Sequence, residues 1–574
     1  MKHWIVLAGI VLLGVAAVVI SERRKVDVEA SPDALLYLVA DTEQELTRMP
    51  VRFTRMSDED EIRIGNQIAR RSYGAGHETQ ASGEEAVVQT YLMQVGSRLA
   101  AHAHRKLPWR FHYIPEKNFV NAFALPGGHV YIGRGLLALM DSEDELASVL
   151  GHEIEHIDHY HCTERVQQEQ ALRRIPFGEF VALPVELFEA GYTKDQELEA
   201  DREGTRLAVQ AGYSPNGAIR MFEAFQRLYE EYGSHARTPE EELSKVAQQV
   251  LSGYFRSHPP ASERIAQIQQ LIASEGWPLR AERDLAVSFV FWTSRAEDAL
   301  NAHRYPQAQQ IALRSLQMRP GQERALWILG RAQFAQADFA GAADSLRKAL
   351  AIDHSDGQLV TEYALALATA NHQDAAARFQ NWVDSLSEND RDPHEVRVPA
   401  AGLALLAGES EPARSAAAEA RSHIAEEWAP QWLGELGGWY YMAGSCPTAL
   451  SLLDDALQQR PDEPRFSTVR AWVQIQDRKP ADALDTLNSV YNSRKVAADA
   501  LMARAVAQWL AHDQSSALFN FAAAINRQPE WKDPRWVNAL YTPLVAETVQ
   551  QMHAEQQRQT KTAEKSLGHP LTEN

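Results

Sequence analysis

The chain has 574 residues, too many for one hydrophobic core, so at least two domains are expected. Its 23% charged and 45% hydrophobic content is that of folded protein, and 57 basic against 77 acidic residues leave a net charge of −20, which argues against nucleic acid or an anionic membrane surface as the main partner. Two cysteines, Cys162 and Cys446, exclude a disulfide framework.

Residues Trp4 to Ile20 form an unbroken apolar run, at the short limit for a membrane-spanning helix and long for the apolar core of a signal peptide. Gly14-Val15-Ala16 offers a weak cleavage site, but Arg23, Arg24 and Lys25 follow closely, which favours an uncleaved anchor within residues 1–25. Lys2 alone precedes the run, so the positive-inside rule puts the carboxyl side in the cytoplasm. A connector over 26–56 carries some apolar content at Leu35–Val39, and Ser57 with Asp58, Glu59, Asp60 and Glu61 then starts a helix and the first folded domain, 57–284.

A helix is expected near Val87–Ala103, followed by short strands around Trp109–Ile114, Val120–Ala124 and His129–Ile132, with Pro126-Gly127-Gly128 as the turn between the last two. Either His129–Ile132 or the strand before it offers an edge on which an extended peptide could pair. Ser142 and Glu145 have capping-box spacing, and Leu146, Val149, Leu150, Ile154 and Ile157 form one apolar helix face. This helix carries Gly151-His152-Glu153-Ile154-Glu155-His156, an H-E-x-x-H pattern. Residues i and i+4 lie one above the other, so His152 and His156 can hold one zinc ion while Glu153 works on its water. His159 and Cys162 stand where a metzincin would have glycine and histidine, which rules out that class. A catalytic zinc site takes three protein ligands, so a third lies further on. Glu197 and Asp201 have the i, i+4 spacing that would let one carboxylate meet the metal and the other hold a ligand imidazole. His159 and His161 read as helix-surface residues, and Ile175–Val185 as a lid, a groove wall or a buried structural segment.

From about 285 the chain turns helical and alanine-rich. Ala308, Ala342 and Ala376 recur at the tetratricopeptide period, as do Ala449, Ala483 and Ala517, with an insertion around Glu388–Pro393. About seven helix pairs are expected over 285–555, stacked into a solenoid whose concave side binds protein segments. From Gln556 the polar tail reads as disordered.

The sequence resembles the zinc metallopeptidase family that holds the CAAX prenyl endopeptidases and the bacterial HtpX and BepA proteases. The likeness runs through Asn121-Ala122-Phe123-Ala124-Leu125-Pro126-Gly127-Gly128, Gly135-Leu136-Leu137 and Glu145 to Glu153, and covers roughly 57–270. It implies a mostly helical α+β fold, a gluzincin-type protease domain followed by an α-solenoid of tetratricopeptide repeats. It further implies one zinc ion per chain on His152, His156 and Glu197, with Glu153 catalytic, Asp201 backing a ligand, and Glu199 a solvent-facing carboxylate. Ser257-His258-Pro259 is similar to the family's His-Pro segment, where His258 either stabilises the oxyanion or closes the fourth zinc position. The implied setting is the bacterial envelope on the periplasmic side, against the charge rule above, with protein substrates and envelope assembly machinery as partners of the repeats and the membrane as partner of the amino-terminal segment. Two functions follow: a membrane-anchored endopeptidase in protein quality control or outer-membrane protein assembly, or a chaperone or scaffold whose proteolysis is latent.

Overall fold

Ser57 starts a helix by accepting the Asp60 N–H on its hydroxyl at 3.2 Å, and the acidic first turn Asp58–Glu61 lies at the positive end of the helix dipole. This helix, α1 (Asp58–Tyr73), opens the part of the chain that the computed structural model describes: residues 56–73, 83–172, 185, 188, 192–233, 261–278, 280–370, 372–391, 394–491 and 496–567. The predicted anchor Trp4–Ile20, nearly all of the connector, the apolar segment before Val185 and His258 lie outside the described residues. Among the described residues no helix is long and apolar enough to cross a membrane. The chain divides into two compact units between Ser288 and Phe289.

In the first unit α1 is followed by α2 (Gly83–Ala100), β1 (Arg110–Ile114), β2 (Ala122–Leu125) and β3 (His129–Gly133). The sheet order is β1-β3-β2, with β3 parallel to β1 and antiparallel to β2. The turn from β2 to β3 needs its glycines: Gly127 and Gly128 have φ of 80° and 101°, and a Cβ on Gly127 would lie 2.5 Å from the Ile62 backbone. The expectation that His129–Ile132 offers a pairing edge is corrected here, because β3 is hydrogen-bonded on both sides. Of the two outer strands, β1 is partly capped by Gln89, whose amide donates to the Phe111 carbonyl at 2.7 Å and accepts from the Tyr113 N–H at 2.8 Å. That leaves β2 as the edge strand consistent with peptide pairing.

The rest of the unit is α3 (Arg134–Leu137), α4 (Glu143–Asp158), α5 (His161–Leu172), α6 (Lys194–Gln210), α7 (Asn216–Gly233) and α8 (Ala261–Glu275). Leu146, Leu150, Ile154 and Ile157 of α4 are fully buried, as the apolar face required. The capping box at its start is half formed. Ser142 accepts the Glu145 N–H at 3.1 Å, but the Glu145 carboxylate accepts the Asp141 N–H rather than that of Ser142.

In the second unit seven helix pairs run from Ser288–Asn301 with Tyr305–Met318 to Ala498–Leu510 with Gln514–Arg527 among the described residues. The insertion is a four-residue helix, Glu388–Arg391. Ala308, Ala342, Ala449, Ala483 and Ala517 are fully buried where paired helices meet, but in the third pair the buried residue is Ala375, one position before the predicted Ala376. The same pairing explains two glycines: a Cβ on Gly330 would lie 2.7 Å from Leu346 Cγ, and one on Gly437 2.7 Å from Leu453 Cγ. The polar tail is also corrected, since the last helix, Pro543–Leu567, continues well past Gln556. Its Glu, Gln, Lys and Ala content has high helix propensity, and Val545, Ala546, Val549 and Met552 anchor it by burial.

Candidate metal centre

His152 and His156 stand one turn apart on α4, and their Nε2 atoms are 3.0 Å apart. The second element of the site is α6, which approaches α4 closely enough to reach them because both helices carry glycine at the crossing. A Cβ on Gly151 would lie 2.8 Å from the Gly204 carbonyl oxygen, and one on Gly204 would lie 2.7 Å from the His152 amide nitrogen. Glu197 of α6 is thereby brought to both imidazoles, Oε2 at 3.4 Å from His152 Nε2 and Oε1 at 3.5 Å from His156 Nε2. Donors held at about 2.0–2.2 Å around a tetrahedral zinc lie roughly 3.4 Å from one another. The three residues therefore fit such an ion in spacing and in donor type, two imidazoles and a carboxylate, and all three are buried.

Gly204→Val should separate α4 from α6, costing about 1–3 kcal/mol in stability and lowering metal retention because Glu197 and Asp201 move away with α6. Thermal melts and metal analysis check both.

Asp201, one turn after Glu197, accepts from His152 Nδ1 at 2.9 Å and so fixes Nε2 as the ring nitrogen that faces the metal position. Its own support comes from Arg264 on α8, buried among these residues, whose Nε and one terminal nitrogen donate to the two carboxylate oxygens at 2.5 Å each. The Arg264 guanidinium also lies over the Phe222 ring at 4.4 Å. Burial opposes ionisation of Asp201, but Arg264 and His152 outweigh it and hold its pKa at about 2. Burial likewise opposes a charge on His152, and Asp201 and Glu197 push its pKa up to about 10, so a cation in this pocket takes the place of a proton. His156 shifts the other way, well down, mainly through burial. Glu153 is 2% exposed, and burial, with Glu197 and Asp201 adding to it against His152 and Arg264, raises its pKa to about 7.

His161, read from the sequence as a helix-surface residue, is placed differently. His161 is buried, with Nδ1 at 3.0 Å from His156 Nδ1 and Nε2 at 3.3 Å from Glu199 Oε2. Glu199, expected to face solvent, is 39% exposed and engaged by this contact. The reason is a sharp turn between α4 and α5 that folds the chain back on the metal helix. His159 remains half-buried, with Nδ1 at 2.8 Å from Glu155. Arg264 lies five residues after the Ser257-His258-Pro259 segment, but no spacing rule pairs it with Asp201, which lies 63 residues earlier.

Residues 86–272 match peptidase family M48. A β-barrel assembly-enhancing protease of Vibrio cholerae is 35% identical over 178 residues, 27% of this chain and 36% of that protein. The mitochondrial metalloendopeptidase OMA1 of Schizosaccharomyces pombe is 28% identical over 191 residues, 31% of this chain and 52% of its own. The chain thus matches about a third to a half of the length of these relatives. A tetratricopeptide repeat protein from Parabacteroides merdae is similar over 46% of this chain and 98% of its own, at 12% identity and a TM-score of 0.30, a likeness too loose to define the second unit, which its helix pairs define by themselves. With the buried His152, His156 and Glu197 inside the matched segment, this chain carries a metallopeptidase domain of family M48.

Proposed function

We propose that the protein is a zinc endopeptidase of the bacterial cell envelope, anchored by Trp4–Ile20 and facing the periplasm, that acts in quality control or assembly of outer-membrane β-barrel proteins. One observation carries the catalytic part: the buried triangle of His152 Nε2, His156 Nε2 and Glu197, with the buried Glu153 next to His152 on the same helix. One zinc ion per chain would be held by these three residues, and when bound it supplies a Lewis acid that acidifies water and polarises a scissile carbonyl. Glu153 accepts the proton of the attacking water and passes it to the leaving amine, while Asp201 and Arg264 keep His152 oriented. The β2 edge aligns an extended substrate through backbone hydrogen bonds, which tolerates many side chains. From the likeness of Ser257-His258-Pro259 to the family's His-Pro segment, we further propose that His258 acts as a latch on the fourth zinc position.

The kinship with β-barrel assembly-enhancing proteases supports the substrate class, and the seven helix pairs support recruitment of protein segments on the concave side. The decisive experiment removes residues 289–574. The truncated protein should cleave an unstructured peptide at close to the full-length rate and lose at least about tenfold in cleavage of an unfolded β-barrel protein, equivalent to roughly 1.4 kcal/mol of recruitment. Equal cleavage of the β-barrel protein by both forms would remove the recruiting role.

A further inference from the structure

We propose that His161 and Glu199 act together as a positioning pair for His156, fixing the ring nitrogen that it turns to the metal and its orientation there. The proposal rests on the reading of His152, His156 and Glu197 as a zinc site.

Both imidazoles of that site need one nitrogen with a lone pair on the metal side and the other carrying a proton. For His152 the proton goes directly to Asp201. No carboxylate reaches Nδ1 of His156 among the described contacts; what it meets is another imidazole, His161 Nδ1 at 3.0 Å. With zinc on the Nε2 atoms, the direction of each bond follows. His156 Nε2, which faces His152 Nε2 and Glu197 Oε1, would give its lone pair to the ion, so its proton would sit on Nδ1 and be donated to His161 Nδ1. His161 accepts there, so its own proton sits on Nε2 and is donated to Glu199 Oε2 at 3.3 Å. Glu199 thus reaches His156 through one intervening ring, and the carboxylates of α6 at 197, 199 and 201 divide between direct ligation and the backing of each imidazole.

The backbone is arranged to make this contact. Tyr160, between α4 and α5, has φ of 64°, a left-handed conformation unfavourable for a bulky side chain. That conformation turns the chain so that His161, the first residue of α5, lies against His156. The Arg105 guanidinium stacks on the Tyr160 ring at 4.0 Å and donates to the Ile157 carbonyl at 2.7 Å, which holds the turn. Tyr192 stacks on His156 at 3.9 Å between ring centres, so the imidazole is held at its face as well as at its edge.

The test measures zinc affinity of the full chain by competition with a chromophoric chelator, together with the visible spectrum of the cobalt(II)-substituted protein and the melting temperature without metal. His161→Ala is expected to weaken zinc binding about 10–100-fold and to change the cobalt spectrum. His161→Gln should recover part of the loss, because its amide oxygen can accept the His156 proton. Glu199→Ala, at a partly exposed position where folding is not at stake, should weaken binding in the same direction by about tenfold, and Glu199→Gln by less, because it still accepts from His161. Zinc affinity within about twofold of the parent in Glu199→Ala and His161→Ala would overturn the proposal, as would equal losses in His161→Gln and His161→Ala. Failure of the parent protein to bind zinc would instead overturn the metal site on which the proposal rests.

Discussion

Glu153→Gln is expected to retain zinc and to lower peptide turnover by about a hundredfold to ten-thousandfold, the range typical of removing a positioned general base. The amide has the shape of the carboxyl and cannot accept the proton of the attacking water. Glu153 lies beside His152 on α4, outside the set that fits the metal, so the substitution leaves the ligands in place. Its surroundings suit a general base, because burial first, then Glu197 and Asp201, bring its pKa up to about 7, close to the pH at which such a group is most effective. The sign of the pH dependence follows. Below its pKa the group is protonated and cannot act, so kcat/KM should rise with pH and level off once the carboxylate is formed. A divalent cation on the neighbouring ligands favours the carboxylate, which places this limb at or below about 7. Unchanged cleavage of a peptide substrate by Glu153→Gln, with zinc content equal to the parent, would remove Glu153 from the mechanism.

Replacing His156 and Glu197 together by alanine should abolish zinc binding and all proteolysis. Two of three donors are then gone, and His152 alone is no zinc site at ordinary concentrations. The effect reaches stability as well. A metal that binds only the folded state at a free concentration of about 1,000 times its dissociation constant contributes about 4 kcal/mol. A strong chelator should therefore lower the melting temperature of the parent and leave that of the double variant unmoved. Metal analysis gives the sharper outcome: full zinc stoichiometry in the double variant would place the ion elsewhere and refute the assignment.

The pattern of residues in the chain was enough for the parts of this protein that repeat or that sit on one element. Helical periodicity alone puts His152 above His156 with Glu153 beside them, and four apolar residues of the same helix proved fully buried. The spacing of alanines announced helix pairs, because small residues are required wherever two helices cross closely and the crossing recurs with the repeat. Glu197 and Asp201 could be named from their i, i+4 spacing and from resemblance, since both lie on one helix face.

Tertiary structure decided whatever depends on two elements meeting. Strand order is one example: three short strands in sequence do not say which is central, and only the pairing of β3 with both neighbours excludes it as an edge. The crossing of α4 and α6 is another, since Gly151 and Gly204 look like ordinary helix glycines until each is seen to leave room for the other's backbone. Arg264 pairs with Asp201 across 63 residues, and no local rule links them. His161 shows the limit most directly. As a polar residue just after a helix it reads as surface, and it is buried against a metal ligand because Tyr160 adopts a backbone conformation that its residue type disfavours, held there by contacts from another part of the chain.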